Sequence, residues 1–591
     1  MKINFKTPSL SDEDKIKLSE LQKDFPSLSK VVLRAFYSRG LKNKESIEYA
    51  INANLSDITF AYDMKDAKEF IAYLIDAKVK NKKVVIMGDY DTDGSVGTSI
   101  AMLSLLRLGI DVDFYQNDRF VDGYGLKPES VRVIKEKFPN VDVIITVDNG
   151  ISAFDGIDYA NSLGIDVLVT DHHRAEEVLP NAKLIVNPKR LDCPSKEKNL
   201  CGAAVIWKLM YTLFRELNED LSFVINLLDL VAIATIGDLM PLIGENRVLV
   251  KEGLKLLNQK NRLSTSTIVD IVSEKCGIKD TCVNVDTIGF YLSPLINAVS
   301  RLEGNPSLVV NMLISNDDYF IRESTNKMLE INDKRKKMTE SQVSTAYDLV
   351  DDFDKDSYLH GESNHNYYVI YHESFTEGII GLVAGRVTEK FNRPCLVLCD
   401  GPNGTLKGSA RSVKPVDIYD CLNKSSDLLE GYGGHEFAAG FTIKKENLDK
   451  LNSRFSLLLS DLDESSFYKE VLIDSIIRPE DLELNLCTEF DILEPCGNGF
   501  RKPRYLMKDF VIDIPKTNAN KCGSPFVGKD GKTLRLVNYQ NKVVMMFKYS
   551  DKYRELNYPN KVWCVGSPQL NEFKGIKSVQ FLIENDYLLK M

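Results

Sequence analysis

At about 100–200 residues per domain, a chain of 591 residues holds about three or four domains. Hydrophobic residues are 43% and charged residues 27%, ordinary for a globular protein, and no apolar run reaches the ~18 residues of a membrane-spanning helix. The opening residues lack the apolar core of a secretion signal, and eleven cysteines without a CxxC pair fit free thiols in a reducing compartment, with no cysteine–histidine cluster to suggest structural zinc. The chain is therefore expected in the cytoplasm. Net charge is −10, but Pro495–Met591 carries 17 Lys and Arg against 8 Asp and Glu, a net +9 on a body of −19. That asymmetry is a footprint of polyanion binding, although chance segregation would look the same.

In chain order, residues 1–75 read as an N-terminal helical segment. Residues 76–316 alternate between strand and helix patterns. Lys83–Gly88 is an apolar run that leads into a carboxylate cluster, and residues 95–109 show helical spacing closed by Gly109. The run 110–115 is again β-rich, and 141–148 and 165–171 repeat the theme of β-rich segments ending in Asp. This alternation predicts a doubly wound parallel sheet with helices on both faces and a site beyond the C-terminal strand ends. Residues 317–355 are charged and nearly free of helix breakers, which predicts a connecting helix; 356–460 read as a smaller α/β domain. From 465 to 591 the chain is β-rich, with basic and aromatic residues interleaved.

Asp89, Asp91 and Asp93 fall within five residues on a turn after a buried strand. Their mutual repulsion is tolerated if a cation sits between them; a helix cap or an Asx turn is the alternative. The spacing echoes a calcium loop, but the required later Glu is missing. Asp148 follows a second apolar strand and Asp171-His172-His173 a third. A pair of exposed surface histidines is the plain alternative for the latter. Asp238 lies in an otherwise apolar stretch, where an unpaired carboxylate costs several kcal/mol. A mixed Asp and His set suits Mn²⁺ or Mg²⁺. Two such ions clamp the attacking and leaving oxygens of a phosphodiester, with Asp148 a candidate bridge. No Walker loop competes.

These elements resemble the DHH phosphoesterase superfamily: Gly88–Gly94, Thr146–Gly150, Asp171-His172-His173 and Gly237-Asp238-Leu239 stand in the family's order. Glu377–Arg386, Lys407–Ser412 and Gly431–His435 resemble the DHH-associated domain. Arg119–Leu126, Pro294–Leu302 and Leu493–Gly499 narrow the resemblance to RecJ-type exonucleases. It implies a doubly wound DHH domain, a connecting helix, a DHH-associated α/β domain and a C-terminal OB-like β-barrel. It implies two divalent cations, Mn²⁺ or Mg²⁺, on Asp91, Asp93, Asp148, His172 and Asp238, with Asp89 a ligand or support and His173 on the scissile phosphate. Three departures stand out: Met87 where some relatives have His, and Leu295 and Ser300 beside the retained Asn297 and Arg301, both of which the resemblance places among the substrate-binding residues.

The same resemblance places a 5′-phosphate pocket at Arg119, Arg301, Ser409 and Arg411. Guanidinium forks chelate phosphate oxygens, and a hydroxyl adds a donor. Arg301 could instead pair on the surface near Glu303. Gly433 and Gly434, before His435, would let backbone approach another phosphate, or would only make a turn. Tyr124 is a candidate stacking face. Tyr539, Phe547, Tyr549 and Trp563 read as barrel core, with stacking faces the alternative, while Lys502, Arg504, Lys542 and Lys548 are candidates for backbone contacts. The implied activity is 5′→3′ hydrolysis of single-stranded DNA to 5′-mononucleotides, in repair, recombination or replication. The alternative is a DHH phosphodiesterase of short oligonucleotides or cyclic dinucleotides. Expected partners are single-stranded DNA and a single-strand-binding protein or helicase, with no membrane and a monomeric chain.

Overall fold

The Val-, Ile- and Met-rich run Lys83–Gly88 forms a strand (β1) buried at every position, as expected in a sheet covered on both faces. In the computed structural model, which describes residues 3–7, 10–277, 282–360, 366–528, 531–573 and 576–590, β1 lies within a five-stranded parallel sheet. Its other strands are Val112–Gln116 (β2), Val141–Val147 (β3), Asp166–Thr170 (β4) and Leu184–Val186 (β5), in the order β2-β1-β3-β4-β5. Helices Thr92–Arg107 (α1) and Gly202–Glu216 (α4) pack together against it. Pro128–Lys137 (α2) and Phe154–Ser162 (α3) pack as a second pair, joined to the sheet through Val85, Ile144, Val131 and Ile157. The sheet is doubly wound, and the strand order reverses between β1 and β3, where such folds open a crevice.

Beyond Leu228–Gly237 (α5) and Ser293–Glu303 (α6), the connecting helix runs Asp318–His360 (α7), five residues past the expected end at 355. It packs on α6 and on Glu377–Phe391 (α8). A second sheet follows, of Tyr368–Tyr371 (β6), Cys395–Asp400 (β7), Thr405–Arg411 (β8), Leu429–His435 (β9) and Ala438–Lys444 (β10), ordered β9-β10-β8-β7-β6. Only β6 and β7 run parallel. Both sheets belong to one compact unit, made chiefly of residues 59–238 and 253–469.

The other unit is assembled from residues 5–58, 239–252 and 470–591. Its strands Tyr505–Val511 (β11), Thr533–Val537 (β12), Val543–Phe547 (β13), Lys561–Phe573 (β14) and Ile576–Lys590 (β15) are joined in the order β11-β14-β15-β13-β12. β13 and β15 are parallel. An antiparallel bridge between Ile512 and Asn538, with the Asp513 N–H donating to Val537 O at 2.8 Å, joins β11 back to β12. The ring of five strands closes with the connectivity of an OB barrel.

The aromatics expected in the barrel core do not fill it: Tyr539, Phe547 and Tyr549 are 65%, 47% and 47% exposed, and Trp563 is half-buried. In β13 the buried positions are Val544 and Met546, so the period of two puts Phe547 outside. Arg504 is tied to Glu584 at 2.5 Å, and Lys542 donates to Leu482 O at 2.5 Å, whereas Lys548 is exposed.

Asp474 holds this unit together. Its carboxylate is fully buried, pairs with Arg39 at 3.1 Å and Arg501 at 2.6 Å, and accepts from the Arg504 N–H at 2.8 Å. Asp474→Ala leaves the buried Arg39 and the half-buried Arg501 without their anion and should cost about 3–5 kcal/mol. Urea unfolding checks this; an unchanged midpoint would show that the network contributes nothing.

Candidate active site

Three strands of the parallel sheet end level. Gly88 pairs with Val147 and Val147 with Thr170, so the next residues, Asp89, Asp148 and Asp171, stand side by side. Their amides stay in the ladder: Asp89 N–H donates to Val147 O, Asp148 N–H to Thr170 O and Asp171 N–H to Val186 O, at 3.0–3.1 Å. The sheet reversal between β1 and β3 therefore opens on carboxylates. Asp91 caps α1 by accepting from the Gly94 N–H at 3.1 Å. Asp93 accepts from the Gly202 and Ala203 N–H groups, at 2.6 and 2.8 Å, at the start of α4. Gly202 permits that approach, because a Cβ there would stand 2.6 Å from Asp148 Cβ. Asp238 closes the C-terminal end of α5.

His172 gathers the set. Its Nε2 lies 3.0 Å from Asp148 Oδ1, 3.5 Å from Asp238 Oδ2 and 3.6 Å from Asp93 Oδ2. Candidate ligand atoms fall within 4.8 Å of one another in three overlapping sets: Asp93, His172 and Asp238; Asp89, Asp91 and Asp148; and Asp148, His172 and His173. All six expected metal residues are brought together, with Asp148 between the first two sets. Met87, at the position of the missing His, packs into the apolar core of the sheet.

The electrostatics call for cations. Burial and the neighbouring Asp91 push Asp89 well above the usual carboxylate range. Burial, then Asp93, Asp91, Asp238 and Asp89, do the same to Asp148. Asp238 is pushed to about 8 by burial, Asp93 and Asp91. Burial lowers His172 to about 4, so the imidazole is neutral and can offer a lone pair. Asp89 Oδ1, Asp148 Oδ1, Asp238 Oδ2 and both His172 ring nitrogens are buried without a hydrogen-bond partner among the described residues. Such orphaned carboxylate oxygens, beside an imidazole with one nitrogen free to accept, fit a divalent cation that prefers oxygen and nitrogen.

Asp171, which the sequence reading left without a role, holds the tripeptide. It accepts from Ile151 N–H at 3.0 Å and from His172 N–H at 2.7 Å, and lies 2.8 Å from His173 Nδ1. Burial would raise its pKa, but the hydrogen bond and charge of His173 hold it at about 2. His173 rises to about 9 because the bond and charge of Asp171 outweigh burial. Tyr124 Oη stands 3.4 Å from His173 Nδ1, with the ring 41% exposed. Asn297 Oδ1 accepts from Thr92 N–H at 2.9 Å, bracing the turn that carries Asp91 and Asp93.

The four residues expected at a strand end also converge. Ser409 and Arg411 share one face of β8, and Arg411 Nη1 donates to Ser409 Oγ at 3.1 Å. Arg301 on α6 is lowered to about 9 by burial and by the like charges of Arg119, Arg411 and Arg335. It does not pair near Glu303. Arg119 stacks over the ring of Tyr90 at 5.1 Å, between Asp89 and Asp91. Among the described residues, neither Arg301 nor Arg411 has a carboxylate ion pair. Gly433 and Gly434 lie on the edge strand β9, with φ +146° at Gly434, where a Cβ would meet Ala438 O at 2.4 Å. His435 feels its partial burial and then the charges of His173, Lys189 and Arg174, which lower it. Lys189, lowered by burial against Asp238, Asp171 and Asp148, was missed because an isolated Lys after Pro188 carries no sequence signal.

The fold and this site define a DHH-type phosphoesterase. The families described as DHH family, N-terminal domain, DHHA1 domain and RecJ OB domain match residues 83–235, 364–461 and 473–585. The chain is 32% identical to the single-stranded-DNA-specific exonuclease RecJ of Bacillus subtilis over 97% of its own length and 70% of that protein. It is 30% identical to the Escherichia coli protein of the same name, over 95% and 96%. The crystal structure of RecJ in complex with Mn²⁺ from Thermus thermophilus superimposes with a TM-score of 0.81 at 25% identity, covering 100% of this chain and 80% of that one. The chain belongs to the RecJ family of single-stranded-DNA-specific exonucleases.

Proposed function

We propose that the chain hydrolyses single-stranded DNA from its 5′ end and releases 5′-mononucleotides. The observation that carries this reading is the pairing of two built features in one unit: a cluster of orphaned carboxylates and a neutral imidazole, and a separate nest of guanidinium groups without carboxylate partners among the described residues. Asp89, Asp91 and Asp148 would hold one Mn²⁺ or Mg²⁺ ion, and Asp93, His172 and Asp238 the other. When bound, such ions make water a competent nucleophile near neutral pH and neutralise charge building on the phosphoryl oxygens. The chain's own groups do the rest. Asp171 fixes His173 Nδ1, leaving the other ring nitrogen to face a phosphate oxygen with its proton. Arg119, Arg301, Ser409 and Arg411 hold the terminal phosphate and so set the point of cleavage. Tyr124 offers a ring to the base, and Gly433, Gly434 and His435 supply close backbone and imidazole contacts to the strand.

Domains follow the same reading: 76–316 catalytic, 317–355 connecting, 356–460 DHH-associated and 465–591 nucleic-acid-binding. Among the described residues no helix is long and apolar enough to cross a membrane. A cytoplasmic monomer meeting a single-strand-binding protein or a helicase fits a substrate of this kind. The test is product analysis on end-labelled single strands with Mn²⁺ or Mg²⁺. Ladders shortening from the 5′ end and 5′-mononucleotides are expected; cleavage confined to dinucleotides through pentanucleotides would replace this reading with a short-oligonucleotide phosphodiesterase.

The exposed Lys548 and Tyr549 are candidate strand contacts on the barrel. Lys548→Gln should make the slope of log affinity against log salt shallower by about 0.7, the share of one phosphate on a single strand. Tyr549→Ala should weaken binding by about 1–3 kcal/mol without changing that slope. Filter binding at several salt concentrations measures both, and a parallel line for Lys548→Gln would remove Lys548 from the strand path.

A further inference from the structure

The end pocket is not closed behind the phosphate it is suited to hold. Arg411 forms one of its walls and also lines a groove of about 670 Å³ between α7 and α8. Gly381 and Gly385, one helical turn apart on α8, line that groove; a Cβ on Gly385 would meet no atom within 4 Å. Arg335 and Lys336 reach it from α7, and Arg386 from α8. The lining carboxylates are Glu340 and Glu389, so cations outnumber them. Arg335 Nε is buried with no hydrogen-bond partner among the described residues. The like charge of Arg386 adds to the burial that disfavours its charged form. A terminal monoester phosphate brings only about −1.5 to −2 of charge at neutral pH. Arg119, Arg301 and Arg411 already balance that. Arg386 is paired with Glu389 at 3.4 Å and Lys336 with Asp333 at 3.9 Å, but both pairs are exposed and worth little, so each cation can turn to a phosphate, and Arg335 has no carboxylate ion pair among the described residues.

We propose that this groove takes the outer phosphates of a strand that carries a di- or triphosphate at its 5′ end. The inference rests on the exonuclease reading and extends its substrate class. The chemistry is unchanged: the water oxygen bonds to phosphorus, the P–O3′ bond breaks, and the 3′ oxygen leaves with a proton. The first residue of a triphosphorylated strand then departs as a nucleoside 5′-triphosphate, and later residues depart as monophosphates.

The test compares oligonucleotides of one sequence bearing a 5′-monophosphate or a 5′-triphosphate. Binding to the full-length chain is measured in EDTA, and first-turnover products with Mn²⁺. The wild type should bind the triphosphorylated strand at least about tenfold more tightly, the worth of one charged contact, and release the nucleoside triphosphate first. Arg386→Ala, and Gly385→Phe, which fills the groove from an open helical position, should each collapse that binding ratio toward one. Inorganic tripolyphosphate should compete with the triphosphorylated strand, and less well against Arg386→Ala. Equal binding of the two strands by the wild type, or a ratio that neither variant changes, overturns the proposal. Tripolyphosphate binding without preference for the triphosphorylated strand also overturns it, in favour of a site for free polyphosphate. Failure to degrade the monophosphorylated strand would instead overturn the exonuclease reading, which the EDTA binding ratio does not depend on.

Discussion

Asp148→Asn should abolish hydrolysis while making the metal-free protein more stable. Its carboxylate follows β3, in one set with Asp89 and Asp91 and 3.0 Å from His172 Nε2 of the other, and its Oδ1 has no hydrogen-bond partner among the described residues. Removing a carboxylate that would hold a cation at the reacting phosphate forfeits several kcal/mol of transition-state stabilisation. At about 1.36 kcal/mol per tenfold, the rate should fall by about 10³ or more. The same carboxylate is a liability when no cation is present. Burial and four neighbouring carboxylates oppose its ionisation, so a neutral isostere relieves repulsion. Replacing a poorly compensated buried charge can stabilise by about 1–4 kcal/mol. Melting temperature in EDTA should therefore rise in Asp148→Asn, whereas added Mn²⁺ should stabilise the wild type more than the variant. Binding of single strands by the variant in EDTA should remain measurable. A variant that hydrolyses at the wild-type rate would remove Asp148 from the centre, and one destabilised in EDTA would show that the carboxylate is satisfied by contacts within the fold.

Much of this site could be read before the fold was known, because its chemistry sits where local patterns are strong. Runs of Val and Ile buried on both faces mark β1, β3 and β4, and the residue after each run must lie at the sheet edge. What the pattern does not contain is register. Only the level pairing of Gly88, Val147 and Thr170 brings Asp89, Asp148 and Asp171 side by side and shows Asp171 to be the support of His173. Asn297 was legible as a polar residue near the site but not as the acceptor for Thr92 N–H, a contact across 205 residues. The aromatics of the barrel misled for a related reason. Tyr539, Phe547 and Tyr549 are β-formers, but which face they take depends on the phase of the alternation, which Val544 and Met546 set by filling the interior. The grouping of residues 5–58 with 470–591 was not legible at all. It rests on contacts such as Arg39 with Asp474, and no local propensity encodes a partner 435 residues away. Arg335 was hidden because one Arg in a charged helix looks like any other until its surroundings are known.

Arg411→Ala should erase the preference for a 5′-phosphate and leave the chemistry itself intact. The guanidinium is steered by Ser409 Oγ at 3.1 Å and by Ala410 O at 2.8 Å, both neutral. Burial and the like charge of Arg119 disfavour its charged state. A guanidinium kept in that setting is stabilised fully only when an anion arrives, so its contribution appears in binding the strand end. Charge-assisted hydrogen bonds are worth about 1.5–3 kcal/mol, which converts to about 10–100-fold in kcat/KM for a 5′-phosphorylated strand. A 5′-hydroxyl strand presents nothing for Arg411 to hold, so its kcat/KM should change little. Arg411→Lys should rescue only part of the loss, because an ammonium cannot reproduce a planar two-pronged contact. Measuring both strands on all three proteins separates the possibilities. Equal losses on the two strands would mean that Arg411 supports the fold of β8 rather than the strand end. No loss on either would move the end pocket elsewhere, and with it the length of the nucleotide that each cleavage removes.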